Sequence, residues 1–170
     1  MNCRKNWTMP VVISNTSVLQ YLHQVDALFL LPKLFGSIYI PQAVVEELEA
    51  GIKSSVSLPD IEVLPWIEVL YVQHPELLPL VTHLGKGEKE VLALGQENPG
   101  SLLLLDDKSA RRHGSLLSLT IIGTLGVLLL GKEQGKIDAV CPFLDRLDTL
   151  GFRLHPSTRQ SVLRLASELG

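Results

Sequence analysis

The sequence predicts an α/β fold with a mainly parallel central sheet. Three observations carry that expectation. Short aliphatic runs alternate with helical patterns along the chain, the order that parallel strands joined by crossover helices require. The run Leu102-Leu103-Leu104-Leu105 is continuously apolar, as a strand covered on both faces is. Turn signals such as Asn98-Pro99-Gly100 separate the segments.

Residues 11–14 form the first expected strand, a short β-branched run. Asn15, Thr16 and Ser17 then supply capping side chains for a helix whose apolar positions Val18, Leu19, Leu22 and Val25 keep helical spacing. Residues 37–40 alternate as a second strand. Pro41 opens a helix over 42–50, and Gly51 is expected to stop it. The serine-rich stretch 53–59 reads as a loop and 67–72 as a strand. Leu84-Gly85-Lys86-Gly87 turns the chain into a helix over 88–96. After the strand at 102–105 comes a short helix carrying Ala110, Arg111 and Arg112. A strand at 119–122, a helix over 124–134 and two closing helices at 142–150 and 157–169 complete the chain.

At 170 residues the chain suits a single domain, with its core over about 11–135 and its C-terminal helices over about 142–169. Aromatic residues make up 5%, so the core is expected to be aliphatic. A formal net charge of −3 gives no global attraction for a polyanion, which leaves local basic patches or a bound metal to make any such contact. Cys3 and Cys141 are too few for a disulfide framework and lack metal-ligand spacing, which reads as free thiols in a reducing cytoplasm. The apolar run 11–13 is too short for a signal-peptide core. The longer stretch 116–130 falls short of the ~20 residues of a membrane helix. It reads instead as a buried strand running into a buried helix, in a soluble protein with no membrane partner.

Acidic residues recur at the places where a parallel sheet binds ligands, beyond the carboxyl ends of its strands. Asn15 and Asp106 both end expected strands, although either one alone is also an ordinary turn or cap residue. The helical acids say more. Glu88 shares a face with Val91, Leu92 and Gly95, and a carboxylate on such a stripe is costly unless compensated. Its other reading is a first-turn acid that complements the helix dipole. Glu90 is expected to point into solvent. Glu47 flanks the stripe of Val44, Val45 and Leu48 while Glu46 projects opposite it, so Glu47 is the better site residue. Asp106 is favoured as a ligand because it directly follows its strand. Asp107 is the reserve ligand or the cap of the helix carrying Ala110. Clustered oxygen ligands suit a hard cation such as Mg²⁺.

Four blocks, Asn15-Thr16-Ser17, Pro41-Gln42-Ala43-Val44-Val45-Glu46-Glu47-Leu48, Gly85-Lys86-Gly87-Glu88 and Leu104-Leu105-Asp106-Asp107, resemble the signature blocks of PIN domains. They are most similar to the VapC-type toxins of prokaryotic toxin–antitoxin systems. Ile122-Gly123-Thr124-Leu125-Gly126-Val127-Leu128-Leu129 and Gly151-Phe152-Arg153-Leu154 resemble one VapC-like subgroup. The resemblance implies a three-layer α/β/α sandwich in which three or four acids hold Mg²⁺ or Mn²⁺ and RNA is cleaved endonucleolytically. It also implies a homodimer and a small antitoxin partner. By position, the family's first Asp falls on Asn15, its helix Glu on Glu47, its third acid on Glu88 and its fourth on Asp106 or Asp107. Thr16 or Ser17 matches a hydroxyl beside the first acid, and Thr124 a hydroxyl near the pocket. Arg111 and Arg112, with His113, are placed either to contact RNA phosphates or to form a solvated helix face.

Asn15 departs from that pattern. It removes one negative charge where the family puts its central ligand, a loss of roughly several kcal/mol of attraction at an effective dielectric near 20. Weakened catalysis is therefore expected, with a non-cleaving protein that binds RNA or an antitoxin as the alternative. A receiver-like signalling domain also uses acids at strand ends, but here the acid pair follows a late strand rather than the first.

Overall fold

Successive side chains on the central strands feed two separate cores, one on each face of the sheet, as the two-residue period of a strand dictates. The computed structural model describes residues 9–80 and 82–169. Cys3 and the charged residues Arg4 and Lys5 lie outside them. The strands are β1 (Val12–Ser14), β2 (Ile38–Ile40), β3 (Ile67–Val69), β4 (Leu102–Leu104) and β5 (Thr120–Ile122). All pairings are parallel, in the order β3-β2-β1-β4-β5. The helices are α1 (Thr16–Gln24), α2 (Leu30–Phe35), α3 (Gln42–Lys53), α4 (Lys86–Glu97), α5 (Lys108–Leu116), α6 (Thr124–Glu133), α7 (Cys141–Thr149) and α8 (Pro156–Leu165).

Val12, Ile38, Ile40 and Leu104 pack with the apolar faces of α1, α2, α3, α6 and α7. Ile13, Leu103 and Leu105 pack on the other side with Val91, Leu92 and Leu94 of α4 and Ala110 of α5. These two cores make the three-layer α/β/α sandwich. Leu103, Leu104 and Leu105 are fully buried, as a strand covered on both faces must be. At such positions truncation to Ala typically destabilises by about 2–5 kcal/mol.

The chain runs outward from β1 to β2 and β3, then returns to the other side of β1 for β4 and β5. The strand order therefore reverses between β1 and β4, the kind of switch point where a crevice opens beyond the carboxyl ends. Ser14 pairs with Leu104, so Asn15 and the residues after Leu104 leave the sheet side by side.

Several expectations are corrected. Residues 30–35 form α2, a helix the periodicity did not assign; its Leu30, Leu31 and Leu34 are buried in the first core. Helix α3 does not stop at Gly51 but continues to Lys53. Gly51 serves packing instead, because Leu58 folds back onto the space a Cβ would fill. Helix α4 begins at Lys86, earlier than expected, while β3 and α8 end sooner, at Val69 and Leu165. Glu90 is not a solvated acid. Its Oε2 accepts the amide proton of Ala43 at 2.9 Å, satisfying the first turn of α3, where the N-cap Pro41 has no capping side chain. Cys141 is a free thiol. No helix among the described residues is long and apolar enough to cross a membrane.

Candidate active site

Asn15 stands at the switch point, only 2% exposed. Its amide N–H donates to the Leu104 carbonyl at 3.1 Å, extending the β1–β4 pairing by one residue. Its side-chain Oδ1 accepts the Val18 amide at 3.2 Å and so caps α1. The residue at the first acidic position is therefore already committed to helix capping. Asp in its place has the same shape and makes the same cap.

Glu47 reaches the same edge from α3. Its Oε1 accepts the Gly87 amide at 3.0 Å, and its Oε2 accepts the Thr16 hydroxyl. The carboxylate thus bridges the first turns of α1 and α4. Gly87 makes this possible, since a Cβ there would lie 2.8 Å from Oε2 and 2.9 Å from Oε1. The sequence pointed to Thr16 or Ser17 as the hydroxyl beside the first acid; Thr16 is the one that holds an acid. The neighbouring Glu46 pairs with Lys86 at 3.0 Å on the exposed surface.

Glu88 folds back on its own helix, where its Oε2 accepts the Gly85 amide at 2.5 Å. This is half of a capping box, because Gly85 has no side chain to return the bond. Glu88 thus supports the first turn of α4 and also lines a cleft. Burial pushes its carboxyl above the usual range, the Gly85 amide opposes that, and the charges of Asp107 and Glu47 raise it further.

Asp106 is fixed by Thr124, the first residue of α6. The Thr124 amide donates to Oδ1 at 2.8 Å and its hydroxyl to Oδ2 at 2.6 Å. Gly123 leaves the room, since a Cβ there would sit 2.5 Å from Oδ1. Burial raises the Asp106 carboxyl, while the two Thr124 bonds and the Arg111 charge hold it back. Asp107 caps α5 by accepting the Ala110 amide at 2.8 Å. Asp107 also lines the cleft.

That cleft has a volume of about 590 Å³, and Ser17, Glu88, Asp106 and Asp107 line it. Tyr21, Lys108, Phe152 and Arg153 line it too, and sequence reasoning did not assign them to a site. Gly151-Phe152-Arg153 had stood out as a motif, but nothing local showed where it would dock. Arg111 leans toward Asp106 and Gly123, and Arg112 is exposed; neither lines the cleft. The other hollows, of about 360 to 540 Å³, hold none of these acids.

The donors suit a hard divalent cation: they are all oxygens, three carboxylates share one cleft, and burial together with the charges of Asp107 and Glu47 raises Glu88. Two acids also lie in cradles that a Cβ at Gly87 or Gly123 would fill. Among the described residues no three His, Cys, Asp or Glu side chains converge into a ready cage. Each acid is instead turned to a protein donor, and Glu88 and Asp107 each spend one carboxylate oxygen on the amide they cap, which leaves the other oxygen for a cation.

The family model that matches the chain is described as a PIN domain and covers residues 11–168. No curated protein matches it.

Proposed function

The chain belongs to the PIN-domain family, and we propose that it is a divalent-metal-dependent endoribonuclease, the VapC-like toxin of a toxin–antitoxin pair, with activity weakened by Asn15. PIN domains are generally metal-dependent nucleases. The observation that carries the reading is the gathering of Glu88, Asp106 and Asp107 in one cleft at the switch point, with Asn15 on the adjoining strand end.

Asp106, Glu88 and Asp107, with the amide oxygen of Asn15, would hold Mg²⁺ or Mn²⁺, and Glu47 stands behind them. When bound, such a cation lowers the pKa of water and offsets charge building on the scissile phosphate. The chain's own part is orientation. Thr124 fixes both oxygens of Asp106, while Thr16 and the Gly87 amide fix Glu47. An antitoxin and a second copy of the chain are the proposed partners. Leu165 and Leu169, 73% and 45% exposed at the C-terminal end, support the homodimer by offering apolar surface for it.

The second reading is a PIN-fold protein that binds RNA or an antitoxin without cleaving. The engagement of Asn15 Oδ1 by the Val18 amide favours it, because that oxygen already spends one lone pair on the cap and brings no negative charge to a cation. One paired assay separates the two: RNA cleavage in Mn²⁺ by this chain and by Asn15→Asp, each beside a Glu88→Gln control. Cleavage by Asn15→Asp no greater than its control, on every RNA tried, would remove the nuclease reading.

A further inference from the structure

The loop between α7 and α8 brings a cation to the acidic cleft from a part of the chain far from every acid in it. Gly151, at φ +78°, reverses the chain after α7, and the Phe152 amide bonds back to the Leu147 carbonyl at 3.1 Å. The Phe152 ring then meets Tyr21 edge-on, with centroids 4.8 Å apart and planes at 89°. Tyr21 lies on α1 four residues after Ser17, one turn along the same face. Phe152 therefore ties the loop to the helix that Asn15 caps, and Arg153 follows it onto the cleft wall. Lys108, at the start of α5, lines the same cleft.

Neither cation has an ion pair within 4 Å among the described residues, although Glu88, Asp106 and Asp107 line the cleft with them. The cleft therefore holds acids and unpaired cations in one space, which lies within the roughly 300–1,000 Å³ of small-ligand sites. A phosphodiester chain fits both kinds of charge. One phosphate would meet the acids through a bound cation, and the next would meet a guanidinium suited to bidentate contact.

Resting on the ribonuclease reading above, we propose that Arg153, assisted by Lys108, holds the RNA phosphate next to the scissile one, and that the Phe152–Tyr21 contact positions it. Contacts of this kind fix the register of the strand and carry no base information.

The test is anisotropy titration of a short fluorescein-labelled single-stranded RNA of mixed sequence against the full chain, at several salt concentrations, with EDTA and with Mn²⁺. Arg153→Gln is expected to lower affinity roughly three- to tenfold at low salt and to reduce the slope of log K against log salt by about 0.7, one single-strand phosphate contact. Arg153→Lys keeps the slope. Lys53→Gln, exposed at the far end of α3, changes neither affinity nor slope. Phe152→Ala weakens binding with the Arg153 charge intact. Wild-type affinity and slope in both Arg153→Gln and Lys108→Gln would overturn this inference and leave the nuclease reading standing. Failure of the wild-type chain to bind RNA at any salt would overturn both.

Discussion

The side-chain oxygen of Asn15 accepts the amide proton of Val18 at 3.2 Å, so the residue in the first acid's place serves as the N-cap of α1. Asp caps as well as Asn does, and the helix N-terminus favours its charge. Asn15→Asp should therefore fold normally and cleave RNA in Mn²⁺ roughly tenfold or more faster, equivalent to about 1.4 kcal/mol of barrier. Asn15→Ala should instead lose about 1 kcal/mol of stability with no gain in cleavage. Single-turnover cleavage and chemical denaturation check the pair.

Thr124→Val is nearly isosteric and fully buried, and it removes the hydroxyl bond to Asp106 Oδ2. The amide bond to Oδ1 remains, which should limit the stability loss to about 1 kcal/mol. The Asp106 carboxyl should rise further and Mn²⁺ affinity should fall. Isothermal titration with Mn²⁺ tests this, and unchanged affinity would mean that Thr124 does not orient the ligand.

Gly87→Ala sets helix propensity against site geometry. Exchanging Gly for Ala inside a helix is favourable by roughly 0.5–1 kcal/mol. The new Cβ, however, would stand 2.8 Å from Glu47 Oε2. Glu47 is a side-chain end and can turn aside, so the fold should persist with stability little changed. Cleavage should drop because Glu47 leaves its place. A fully active Gly87→Ala protein would argue that Glu47 lies outside the chemistry.

Glu88 and Asp106 both have carboxyls raised chiefly by burial. A carboxyl raised in the folded state favours folding when protonated. Its contribution is full below the unfolded value and is lost as pH rises through the folded one. In EDTA, wild type should therefore lose stability relative to Glu88→Gln and Asp106→Asn as pH rises from the ordinary carboxylate range toward neutrality. Mn²⁺ should reverse the trend, adding about 2.7 kcal/mol at a hundredfold excess over its Kd. That gain should fade at low pH as protons compete for the ligands. Thermal melts of the three proteins across pH, with and without Mn²⁺, read this out. Parallel curves would show that neither acid is strained.

Much of the fold was legible because its signals are local. Val12-Ile13-Ser14 is followed by the capping residue Asn15, Pro41 opens a helix, and Leu102–Leu104 has no polar face to expose. Those features also located the acids, since strand ends and first turns are where a parallel sheet gathers ligands. Helix α2 escaped because six residues containing Pro32 show too little period to register. Glu90 was misjudged because the amide it satisfies, that of Ala43, belongs to another helix.

The sequence by itself determined the order of the strands and of the helices other than α2, the two-sided burial of β4, and the placing of Asn15 and Asp106 just after strands. Periodicity and capping depend on near neighbours, and near neighbours are what a sequence displays. Only the tertiary structure decided which partner each of these groups holds. Thr16 takes Glu47, Thr124 takes Asp106, and Phe152 meets Tyr21 across more than a hundred residues. Those pairings follow from how the helices stack on the twisted sheet, and no local pattern encodes that packing.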